Sequence, residues 1–131
     1  MLKIKKYAAI DIGSNAVRLL ISTITEPENK PVSFKKTSLV RVPIRLGQDV
    51  FVKDYISDFN ISRMKQTLKA FQLLMNCHKV EKYRACATSA MRDAKNSKAL
   101  INEIKTETDI DIEIIDGNDE AAIIAATDLH E

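Results

Sequence analysis

No run of apolar residues in this chain approaches the length that crosses a bilayer, and the opening Met1-Leu2-Lys3-Ile4-Lys5-Lys6-Tyr7 lacks the hydrophobic core of a secretion signal. No membrane association is expected, and the cytoplasm is the expected location. Cysteine is scarce: Cys77 and Cys86 lack metal-ligand or redox spacing and read as buried free thiols, and His78 and His130 have no such partners either. An excess of one charge is missing too, since 20 basic and 18 acidic residues leave a formal net charge of +2. So small an excess predicts no nucleic-acid partner. With 45% hydrophobic and 29% charged residues, neither disorder nor a membrane class is suggested. Residues 1–131 suffice for one domain with a real core and no staples.

What is present is organised around Tyr7 to Ser22. Tyr7 to Ile12 is almost continuously apolar, as expected of a central strand covered on both faces, and its lone acid, Asp11, comes near the carboxyl end. From Val17 the pattern alternates. Val17, Leu19 and Ile21 share one face and Arg18, Leu20 and Ser22 the other, which predicts a strand returning antiparallel beside the first. Between them Gly13-Ser14-Asn15 is short, tolerant of positive φ and rich in polar groups. A turn of this kind aims backbone N–H groups at an anion, and an acid at its lip can hold a hydrated divalent cation. A plain hairpin, with Asp11 bonded to its own turn, is the competing interpretation.

The two prolines of Glu26 to Pro31 predict a solvent loop, and Ser33 to Ile44 a third strand that Pro43 places at an edge or ends. Arg45 to Phe51 leaves this meander through Gly47, as a flap over a site or as a solvated connector. Ile61, Met64, Leu68, Phe71 and Met75 recur at spacings of three and four, predicting a helix from about Asp58 to Asn76. Lys82 to Ala87 reads as a strand running into a second polar turn, Thr88 to Ala94. Asn96 or Ser97 is placed to cap a helix through about Thr106, with Leu100, Ile101 and Ile104 inward. Ile110 to Ile115 supplies a fifth strand, and Asp116 to Glu120 turns into a final helix rich in alanine and isoleucine. Glu120 falls in that helix's first turn, where free N–H groups favour a carboxylate, although acids at helix starts are also common for stability alone. Helix crossovers make the strands parallel, so the ends of three strands, with their polar corners, meet on one edge. The succession predicts an α/β, ribonuclease H-like half-domain: a mixed five-stranded sheet flanked by helices.

Read together, Ala9 to Ile21, Ala87 to Ala94 and Ile114 to Ala121 resemble the exopolyphosphatase/guanosine pentaphosphate phosphatase (Ppx/GppA) family, in the family's order and spacing. The resemblance covers essentially the whole chain as the first half of an enzyme with an actin-like ATPase or phosphotransferase fold. It implies that Gly13, Ser14 and Asn15 bind phosphate oxygens, that Ser89 and Arg92 contact the phosphate chain, and that Asp11 lies near a metal, Mg2+ or Mn2+. It implies Glu120 as the catalytic residue that activates the attacking water. Arg18 is a further candidate for the same anionic edge. The implied activity is removal of the terminal phosphate from inorganic polyphosphate or guanosine pentaphosphate.

Two positions depart from the family pattern: Asp119 stands for the usual Glu, and Asp116 for a frequent Ser. The second glycine-rich phosphate loop of the family does not occur in the sequence. The chain is therefore expected to be the N-terminal lobe of a longer two-lobed protein, inactive without its C-terminal lobe. Three other readings compete: a two-metal nuclease using Asp11 and Glu120, an ATP-dependent actin-like kinase half, and a non-catalytic phosphate-binding, regulatory or dimerisation module, in which an open cleft face would pair two copies as a homodimer.

Overall fold

The computed structural model describes residues 3–28, 30–31 and 33–115. Strands β1 (Lys3–Ile12), β2 (Val17–Glu26) and β3 (Ser33–Val42) form an antiparallel meander. Helices α1 (Leu46–Lys53) and α2 (Asp58–Cys77) follow, then β4 (Lys82–Ala87), the short α3 (Ser89–Asp93), α4 (Ser97–Thr108) and β5 (Ile112–Ile114). The sheet order is β3-β2-β1-β4-β5, with β4 parallel to β1 and β5 parallel to β4. A mixed five-stranded sheet with helices was the expectation from sequence. The third polar turn, Glu120 and the final helix fall outside the described residues.

Strand parity decides where the core sits. Ala8, Ile10 and Ile12 of β1 share a face with Val17, Leu19 and Ile21 of β2, Ala85 and Ala87 of β4, and Ile112 of β5, and all are buried. Met64, Leu68, Phe71 and Met75 of α2 and Leu100 and Ile104 of α4 belong to the same cluster, so each helix commits its apolar stripe to this side. Cover on both faces was predicted for β1, but its burial alternates: Tyr7, Ala9 and Asp11 on the other face are only half-buried. The reason is chemical, because that face carries Asp11, Arg18, Arg84 and Glu113, which keep water near.

Helix ends follow local chemistry. Ser57 caps α2, its hydroxyl accepting from the Asn60 N–H at 3.3 Å. Asn96 stands at the start of α4 without capping it; its amide instead accepts from the Ile56 N–H at 2.9 Å and donates to the Ile56 carbonyl at 3.0 Å, joining distant loops. The connector from Arg45 to Phe51 is neither flap nor loop but the helix α1. Of the two thiols expected to be buried, Cys86 is, whereas Cys77, the last residue of α2, is exposed.

Candidate phosphate site at the carboxyl edge of the sheet

Because β1, β4 and β5 run in one direction, their carboxyl ends open on one edge, beside the point where β1 changes from an antiparallel to a parallel neighbour. Sheets of this type gather ligands outside such a point. The turn Gly13-Ser14-Asn15 lies there. The Gly13 N–H is closed on the Ala16 carbonyl at 2.9 Å, so the N–H groups of this turn without a partner among the described residues are those of Ser14 and Asn15. Glycine eases a tight approach here rather than a positive φ, since an added Cβ would stand 3.3 Å from the Ala16 oxygen.

The second polar segment arrives at the same place. The Thr88 N–H donates to the Ile12 carbonyl at 3.1 Å, extending the β1 to β4 ladder by one step, and α3 begins immediately after it. That places the Ser89 hydroxyl 3.2 Å from the Ser14 hydroxyl, across 75 residues of chain. A third contact comes from α1, whose Gly47 N–H donates to the Ser14 carbonyl at 2.9 Å. The sequence brought three polar corners to this edge, the third lying outside the described residues; the structure adds α1.

Asp11 faces Arg18, its direct cross-strand partner. The guanidinium reaches one carboxylate oxygen, Oδ2, through Nε at 3.2 Å and an Nη at 2.5 Å, and both side chains are partly open to solvent. The other oxygen, Oδ1, accepts no hydrogen bond among the described residues. On the same face, Cys86 lies beside Asp11 and Glu113 beside Cys86, with Glu113 paired to Arg84. Burial, then the Glu113 contact and the charges of Glu113 and Asp11, push the Cys86 thiol up to about 11 against the pull of Arg84. At that value the thiol is protonated at physiological pH. No cluster of three acids, cysteines or histidines that could cage a metal occurs among the described residues. One carboxylate with a free oxygen does suit Mg2+ or Mn2+, since a cation of that type keeps several waters and is held mainly by substrate phosphates.

Arg92 lies on α3, and its Nη1 donates to the Ile115 carbonyl at 3.3 Å while Nε stands 3.8 Å from Asp93. The Ile115 N–H in turn donates to the Ala87 carbonyl at 2.9 Å. Arg92 is thus turned toward the end of β5, one residue before the segment that carries Glu120. Glu120 itself lies outside the described residues. Sequence reasoning gave no role to Arg41 and gave Arg45 only as a possible overhang. The two line, with Asn15, Pro43 and Gln48, an open cavity of about 520 Å³ beside the phosphate turn.

The mixed sheet, the helix crossovers and the polar edge define a ribonuclease H-like domain of the actin-like ATPase superfamily. The chain belongs to the Ppx/GppA phosphatase family, whose model matches residues 28–131. It is 37% identical over 119 residues to a bifunctional 3-dehydroquinate synthase/phosphatase of Fusobacterium nucleatum, covering 88% of this chain and 18% of that protein. Exopolyphosphatase 1 of Mycobacterium tuberculosis is 26% identical over 119 residues, covering 90% of this chain and 33% of that one. A crystal structure of the Aquifex aeolicus Ppx/GppA family member superposes with a TM-score of 0.82 at 31% identity, over 90% of this chain and 37% of that one. The chain thus spans between about a fifth and two fifths of the length of these relatives.

Proposed function

We propose that residues 1–131 form the first phosphate-binding lobe of a phosphoanhydride hydrolase. Its substrate would be inorganic polyphosphate or guanosine pentaphosphate, its location the cytoplasm, and a second lobe would close the cleft. The observation that carries this reading is the 3.2 Å contact between the Ser14 and Ser89 hydroxyls, which joins two corners of different chemistry at one strand edge. Membership of a phosphatase family supports the class of reaction.

The chemistry asks for charge neutralisation and an in-line nucleophile rather than a covalent protein intermediate. The open N–H groups of Ser14 and Asn15 and the Ser89 hydroxyl would hold oxygens of the terminal phosphoryl group, with Arg92 adding charge from α3. Glu120 would orient a water and accept its proton as the water oxygen bonds to phosphorus; the anhydride bond then breaks and the shortened chain leaves as an anion. Mg2+ or Mn2+, when bound, would neutralise phosphate charge, held from the protein side through Oδ1 of Asp11. Arg18 keeps the Asp11 carboxylate in place.

Calorimetric titration of this chain with tripolyphosphate, with and without magnesium, tests the reading. Magnesium should tighten binding about tenfold in the native chain and not in Asp11→Asn, the change expected for one charge-assisted ligand. If neither polyphosphate nor guanosine pentaphosphate binds, a scaffold role replaces the enzyme. If the isolated chain releases phosphate with magnesium and Glu120→Ala abolishes it, no second lobe is needed.

A further inference from the structure

The cavity beside the phosphate turn is bounded by Arg41 at the end of β3, Pro43 and Arg45 in the connection, Gln48 in the first turn of α1, and Asn15 of the turn itself. Neither arginine has an ion-pair or hydrogen-bond partner among the described residues. Arg41 is the direct cross-strand neighbour of Arg18, and like charges in that position repel. Arg18 is compensated by Asp11, whereas Arg41 has no acid partner among the described residues. Arg45 precedes the amino end of α1, where the helix dipole adds further positive potential. The one acid of α1, Asp49, pairs with neither arginine among the described residues. Its Oδ2 is taken by the Ser57 N–H at 3.0 Å, the Ser57 hydroxyl at 2.7 Å and the Asn60 amide at 2.7 Å, all at the start of α2.

The cavity is also fixed relative to the turn. The Gly47 N–H grips the Ser14 carbonyl, and the Pro43 carbonyl accepts from an Nη of Arg63 at 2.9 Å. Two guanidinium groups with no acid partner among the described residues, a helix amino end and an amide-bearing wall shared with a phosphate turn suit an anion. At about 520 Å³ it has room for more than a single phosphoryl group.

We propose that this cavity is a second phosphoryl station, occupied by inner phosphate groups of a phosphoanhydride chain whose terminal phosphate sits at the Gly13 to Asn15 turn. Asn15 belongs to both stations. The proposal rests on the reading above, that the turn takes a terminal phosphate, and adds to it that the chain runs along the β3 to α1 connection. It makes this lobe select for chain length, because orthophosphate fills one station and tripolyphosphate both.

Titration of the 131-residue chain with orthophosphate and with tripolyphosphate, in the native form and in the double variant Arg41→Gln/Arg45→Gln, tests it. The ratio of tripolyphosphate to orthophosphate affinity should fall about tenfold in the variant, the effect of removing charge-assisted contacts. Arg41→Lys/Arg45→Lys, which keeps the charge and loses the planar fork, should fall between the two. Both arginines are exposed, and unchanged thermal unfolding will confirm intact folding. An unchanged ratio, or equal weakening of both ligands, overturns the second station while leaving the first. Failure of the native chain to bind either ligand overturns both.

Discussion

Asp49 holds two helices together by one carboxylate. Burial pushes its carboxyl up, but the Ser57 N–H, the Ser57 hydroxyl, the Asn60 amide and the charge of Lys53 outweigh it and hold it below the ordinary 3.8. A depressed folded-state value means that the ionised form is favoured by folding. The stabilisation is therefore complete above the unfolded value and is lost as pH falls through the folded one. Asp49→Asn should cost about 1–2 kcal/mol in denaturant unfolding at neutral pH, since three donors lose a charged acceptor. Its stability should also fall less steeply than that of the native chain below about pH 4. Equal acid slopes for the two proteins would show that Asp49 is not the titrating anchor.

Sequence reasoning missed two helices, the short α3 inside what it read as the polar turn Thr88 to Ala94, and α1, whose composition explains why. Over eight residues only Leu46 and Val50 are buried, while Phe51 is 91% and Val52 71% exposed, so no apolar stripe announces it. A glycine in its first turn and two valines argue further against a helix. Tertiary contacts override that preference: Gly47 to Ser14 at one end, Asp49 to Ser57 and Asn60 in the middle, and Asp54 closing the other end in the left-handed conformation. Helix α2 was legible because five apolar residues repeat over twenty, and the facing of β2 because alternation has a period of two. The polar segments Gly13 to Asn15 and Thr88 to Ala94 were legible from their residues, while Ser89 and Arg92 were singled out by family resemblance. The meeting of Arg41 with Arg45 was not, since it depends on how β3 registers against β2 and on the turn that α1 makes. Gly47→Ala tests the joint between α1 and the phosphate turn. The new Cβ would lie 2.9 Å from the Ser14 Cβ, closer than packed atoms tolerate, and both belong to constrained backbone. A loss of about 1–3 kcal/mol in unfolding free energy is expected from overpacking, together with weaker tripolyphosphate binding. Native stability and affinity in the variant would mean that the helix end moves freely of the turn.

Across the whole molecule, β1 is the strand on which both halves of the topology depend. The meander reaches it through antiparallel bonds from β2, and the crossover units reach it through parallel bonds from β4, while its inward residues meet the helical layer. Opening β1 breaks both ladders and uncovers Ile10 and Ile12, so its amides should exchange only through global unfolding. On β3, by contrast, only β2 forms a ladder among the described residues, and its outer edge lies at the end of the sheet order. Local fraying there leaves the core closed. Hydrogen exchange should accordingly be slowest at the amides of Ile10 and Ile12 and faster by at least about a hundredfold along the β3 strand, a difference of roughly 3 kcal/mol in opening free energy. The phosphate turn joins the slow strand to β2, so its two ends are anchored in the most persistent part of the sheet, whereas Arg41 sits on the edge that opens first. Saturating tripolyphosphate should slow exchange at Ile10 by the full binding free energy, and, if it bridges both, should also slow exchange at the Arg41 end of β3 by up to the same factor. Slowing at Ile10 with unchanged exchange at the Arg41 end of β3 would show that the ligand stabilises the fold without reaching that edge.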